Sequence, residues 1–97
     1  MKSYELLYFI DPALNEEERA ALSERVSKTI TGVNATIESI DEWGKRKLAY
    51  EINGLAEGEY FLVNFEAEPD TIAEISRLLR ITDQVVRFTI ARRIVKE

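Results

Sequence analysis

The chain has 97 residues, 45% of them hydrophobic, and its 13 basic and 18 acidic residues leave a net charge of -5, with no Cys and no His. That length fits one domain over residues 1–97, and the charge argues against broad attraction to nucleic acid or anionic lipid. Imidazole base catalysis, His-bearing metal sites and thiol chemistry are excluded, and no disulfide is needed, which suits a reducing cytoplasm.

Tyr4, Leu6, Tyr8 and Ile10 recur with period two, so "SYELLYFI" reads as a first strand. Glu5 interrupts this run and Asp11 and Pro12 end it, well short of the roughly 20 apolar residues of a membrane span. In "LNEEERAALSERVSKTITG", Asn15 is the expected N-cap, Glu18 stands at the third helical position, and Leu22, Val26 and Ile30 form one stripe. Gly32 is the expected helix stop. Ala35 to Ile52 reads as one long strand whose parity changes predict a bulge near Gly44. Gly54 and Gly58 bracket the expected turn, after which Phe61, Val63 and Phe65 share one face of a third strand.

Pro69 and Asp70 open a second helix with Ile72, Ile75 and Leu79 inward, and Thr82 and Asp83 turn the chain. "QVVRFTIARRI" closes the domain, with Val86, Phe88 and Ile90 expected inward and Val85, Arg87, Thr89, Ala91 and Arg93 outward. The order β-α-β-β-α-β predicts an α+β, ferredoxin-like domain. Its four-stranded antiparallel sheet has strand order 4-1-3-2, with both helices on one face.

The cations crowd Lys45, Arg46 and Lys47 and the last quarter of the chain. With the hairpin turning between Gly54 and Gly58, pairing back along it places Lys45 to Lys47 beside Phe65 to Ala67, hence near Lys2, Arg92 and Arg93. Such convergence suits phosphate oxygens, with salt-sensitive binding. The other reading is that the run offsets Asp41, Glu42, Glu66 and Glu68 on a solvated edge. Trp43 has two readings as well, an exposed aromatic on an edge strand or a core plug at a bulge. Aligning "GEYFLVNF" with the RNA-recognition motif leaves only Tyr60, Val63 and Phe65 compliant, so RNA is expected at the sheet's edges and end rather than across its face.

Taken together, "EWGKRKLAYEI", "MKSYELLYFIDP", "GEYFLVNFEAEP" and "LLRITDQVVRFTIARR" resemble, in order and at family spacing, a bacterial small-subunit ribosomal protein of the S6 family. The resemblance implies a ferredoxin-like structural protein of the ribosome, without enzymatic activity or cofactor. It also implies binding to small-subunit ribosomal RNA in its central domain, together with the small basic ribosomal protein S18. By similarity Lys2, Arg46, Lys47 and Arg87 are candidates for RNA contact, while Lys45, Arg92 and Arg93 rest on the expected convergence. Trp43, Leu48, Tyr50 and the neighbouring edge are candidates for the partner contact. Glu51 departs from the family, where proline commonly follows "AY", and leaves a backbone N–H on that edge. Two other classes stay open on the residues alone: a small enzyme dimerising through the open sheet face, and a ligand-sensing domain, which the Gly-free loop after the first strand disfavours.

Overall fold

The structure, a computed structural model, describes residues 2–52, 54–82 and 84–92. Strand β1 (Lys2–Ile10) leads to helix α1 (Glu16–Thr31), strand β2 (Thr36–Ile52), strand β3 (Leu55–Ala67), helix α2 (Ile72–Arg80) and strand β4 (Val85–Arg92). The antiparallel sheet has the order β2-β3-β1-β4, which is 4-1-3-2 counted from the other edge. The α+β ferredoxin-like expectation holds.

Helix α1 begins where its sequence dictates. Asn15 Oδ1 accepts from the Glu18 backbone N–H at 2.8 Å, and Glu18 Oε1 accepts from the Asn15 N–H at 3.2 Å, so two otherwise orphaned donors are satisfied reciprocally. The helix ends at Thr31 with Gly32 as its C-cap, as expected, but without a left-handed glycine. Gly32 stays in right-handed geometry and donates its N–H to Lys28 O, and the left-handed residue is Asn34, at φ 65°. Asn tolerates that region well, so the turn out of α1 needs no glycine there. Pro69 to Thr71 form a short 3-10 turn that feeds α2.

One core holds the layers together. Leu22, Val26 and Ile30 of α1 and Ile75 and Leu79 of α2 pack against Tyr4, Leu6, Tyr8, Ile10, Phe61, Val63 and Phe65. Two ring pairs on this face, Tyr4–Phe65 at 5.8 Å and Tyr8–Phe61 at 5.3 Å between centroids, join β1 to β3; such pairs contribute about 1 kcal/mol each beyond the area they bury. In β4 the expected parity fails at its start. A register shift at Ile10 puts Val85 in the core, while Val86, expected inward, lies outside the core set; Phe88 and Ile90 pack inward as expected.

Tyr8 is almost wholly buried, and this burial pushes its hydroxyl up to about 12, with the Ser23 hydroxyl pulling the other way and the Glu42 carboxylate adding to the rise. Because the folded-state value lies above the ordinary value of about 10, the contribution is fully present below pH ~10. Above that pH the unfolded chain ionises first, and the contribution is lost as pH rises through about 12. Urea unfolding at pH 9 and pH 11.5 should show the wild type losing about 2 kcal/mol more than Tyr8→Phe; parallel losses would contradict this account of Tyr8.

Candidate nucleic-acid interface

The hairpin of β2 and β3 decides where the cations lie. Ile52 pairs with Leu55 and Gly54 has φ 81°, so the connection is two residues long, a length whose favoured turns need positive φ. Gly58 is therefore not part of the turn but sits inside β3, opposite Arg46. A Cβ on Gly58 would lie 2.5 Å from Cδ2 of Phe9. Glycine is there for space, not for the turn.

This register overturns the expected convergence. Lys45, Arg46 and Lys47 pair with Glu59, Gly58 and Glu57, not with Phe65 to Ala67. Lys2 pairs with Ala67, and Arg92 with Tyr4, at the other end of β1. Eight residues of strand separate the ends, about 26 Å. Lys2 and Arg92 thus form one exposed basic end, and Arg93 lies outside the described residues. Arg87 pairs with Phe9 and so belongs with Arg46 rather than with Arg92.

Beyond Glu59, which pairs with Ile10, β3 has no partner on its β1 side among the described residues. The stretch from Arg46 to Gly58 is therefore a two-stranded ribbon overhanging the sheet. The bulge expected near Gly44 lies just before it, where the register shifts between Glu42 and Gly44 and Gly44 has φ 79°; a second, unexpected irregularity falls within the ribbon between Lys47 and Ile52. Opposed residues share a face. Lys45 and Lys47 therefore point to the helix-bearing side with Glu59 and Glu57, and Arg46 to the open side with Gly58. All three are exposed and, among the described residues, none has a carboxylate partner. No ion pair joins them to Asp41, Glu42 or Glu66 among the described residues.

Below the ribbon, Glu59 is only 8% exposed and accepts from Arg19 Nη1 at 2.6 Å. This pair ties α1 to β3 at the ribbon's base, and a carboxylate this buried is tolerated because the guanidinium offsets its desolvation.

Trp43, the extra residue of the bulge, is 44% exposed, with the Arg46 guanidinium 5.7 Å from its ring centroid, a cation–π geometry. Tyr50 is 67% exposed and Leu48 half-buried. The exposed-edge reading of Trp43 holds over the core plug. Between α1 and β2 runs a groove of about 600 Å³ lined by Glu16, Arg19, Ser23, Glu24 and Glu42. The edge thus offers backbone groups, aromatic surface and an acidic groove side by side. Alternation with the core positions puts Phe9 and Tyr60 on the open face, and there their rings stand 5.1 Å apart.

A model of the family described as Ribosomal protein S6 matches residues 3–92. Small ribosomal subunit protein bS6 of Caldanaerobacter subterraneus subsp. tengcongensis is 50% identical over 92 residues, covering 95% of this chain and 97% of the relative. The protein of the same name from Exiguobacterium sibiricum is 47% identical over 92 residues, with the same coverage. The crystal structure of 30S ribosomal protein S6 from Thermotoga maritima superposes with a TM-score of 0.89 at 34% identity, over 95% of this chain and 87% of that one.

The clasp of Phe9 over Gly58 is directly testable. Gly58→Ala forces the ring or the strand to move, and overpacking of this kind costs about 1–3 kcal/mol. Urea unfolding should show that loss with an unchanged denaturant slope; a variant as stable as the wild type would mean that the Phe9 ring does not constrain the strand.

Proposed function

The chain belongs to the ribosomal protein S6 family, and we propose that it binds the central domain of small-subunit ribosomal RNA through the overhanging ribbon, with S18 held on the β2 edge. As a family member it is a structural protein of the bacterial small ribosomal subunit, which places it in the cytoplasm and sets aside the enzyme and ligand-sensing readings.

The observation that carries the RNA contact is the ribbon itself. Lys45 stands at the ribbon's base and Arg46 and Lys47 on the ribbon itself, with no carboxylate partner among the described residues, on a protein of net charge -5. A folded acidic protein that leaves three adjacent cations unpaired has them available for phosphates, each neutralised phosphate releasing counterions. The two lysines reach from one side of the ribbon and Arg46 from the other, so the ribbon suits insertion between phosphate tracks. Lys2 and Arg92 supply a second, separate contact about 26 Å away, the length of β1.

For the partner, the acidic groove and Asp41 and Glu42 favour a basic protein, since complementary charge steers encounter and fixes register. The exposed rings of Trp43 and Tyr50 are the anchors such a contact needs. Glu51 keeps a backbone N–H that proline would remove, so the edge retains that donor for a partner.

Replacing Lys45, Arg46 and Lys47 together by Ala should weaken binding to a central-domain RNA fragment and flatten the salt dependence by about 2–3 in the slope of log K against log salt. Filter binding between low and moderate salt, with S18 present, reads both quantities. Unchanged affinity and slope would remove the ribbon from the RNA interface.

A further inference from the structure

The register brings together residues that lie far apart in the chain. Arg87 pairs with Phe9, Phe9 with Tyr60, and Tyr60 with Gly44. Opposed residues share a face, so Arg87, Phe9 and Tyr60 form one row across the open side. Arg46, two residues beyond Gly44 and opposite Gly58, is the diagonal neighbour of Tyr60 on that same side, and its guanidinium stands over Trp43. The result is a belt at the ribbon end in which two rings lie between two cations: Arg46, Tyr60, Phe9, Arg87. With strands about 4.8 Å apart, its two arginines are roughly 15 Å from each other.

The rings are not equivalent. Phe9 is 5% exposed, closed in by the Gly58 backbone and by Tyr60, whose centroid is 5.1 Å away. Tyr60 is half-buried, and the Phe9 ring is tilted 33° against it. Arg46 and Arg87 are both exposed and, among the described residues, neither has a carboxylate partner. A fixed ring between two free guanidiniums matches the chemistry of unpaired nucleic acid, where bases stack on aromatic surface and cations follow the backbone.

We propose that Tyr60 is a base-stacking platform for an unpaired segment of ribosomal RNA, with Arg46 and Arg87 on the phosphates to either side. The inference rests on the RNA-binding reading above and adds to it a residue, a face and a class of ligand. The interior of a paired helix cannot use the belt, because its bases are stacked on both faces. The bound segment is therefore a loop, bulge or strand end.

The test uses the full chain with S18 and a central-domain RNA fragment over a range of salt. Arg46→Ala and Arg87→Ala should each flatten the salt slope by about 0.7–0.9. Tyr60→Phe should bind like the wild type, whereas Tyr60→Leu should bind about tenfold more weakly with an unchanged slope, since a lost stack removes no phosphate contact. Leu keeps apolar cover over Phe9, and irradiation of the wild-type complex carrying 5-iodouridine in the RNA gives a second readout, an adduct at Tyr60 found by mass spectrometry. Arginine effects without either Tyr60 result would overturn the stacking platform and leave the RNA surface standing. No effect at either arginine would overturn both. Weaker S18 binding by Tyr60→Leu at unchanged RNA affinity would assign the ring to the protein partner and end the proposal.

Discussion

The pairing of Ile52 with Leu55 sets the position of everything else on the long hairpin. A two-residue connection fixes strand register, and a slip of one residue would turn each side chain to the opposite face. From that turn the register passes through shifts at Lys47, Gly44 and Ser39. These place Glu59 on the core side, where Arg19 meets it, and Tyr60 on the open side beside Phe9. The overhang of Arg46 to Gly58 follows from the same register, because β1 ends at Ile10, opposite Glu59. A small sheet thereby presents cations and rings where, among the described residues, no helix or third strand covers them.

Two packing arrangements make the overhang a defined surface. On the helix side the Arg19–Glu59 pair anchors α1 to β3, and losing either member would leave the other poorly solvated. On the open side Phe9 lies over Gly58, where any side chain would collide with its ring. The last secured residues of β3 are thus held from both faces, and the ribbon projects from a rigid base. Rigid presentation matters for binding, since groups already ordered lose less freedom when a partner arrives. Trp43, Arg46 and Tyr60 are all within two residues of this base or directly opposite it.

Much of this was legible in the residues. Period-two alternation located β1 and β3, the Asn15–Glu18 capping box located the start of α1, and the parity changes located the bulge at Gly44. The convergence of cations was misjudged for a specific physical reason. Gly54 and Gly58 look alike in a sequence, yet one is glycine for its positive φ and the other for the space beneath Phe9. Reading both as turn residues moved the hairpin several positions and carried Lys45 to Lys47 to the wrong end of the sheet. The Asn53-Gly54 dipeptide, a strong signal for a two-residue hairpin turn, was the clue that separates them. The start of β4 was misread for a similar reason: the shift at Ile10 exchanges Val85 for Val86, and alternation cannot announce it.

We propose one end of the sheet, the ribbon with the belt at its base, as the working surface of this protein. Hydrogen–deuterium exchange of the free chain and of its complex with S18 and a central-domain RNA fragment tests it most directly. Added protection should concentrate on residues 42–50, 57–60 and 86–88, with a smaller effect at Lys2 and Arg92. Protection confined to the Lys2 and Arg92 end, with the ribbon exchanging as it does in the free protein, would contradict it.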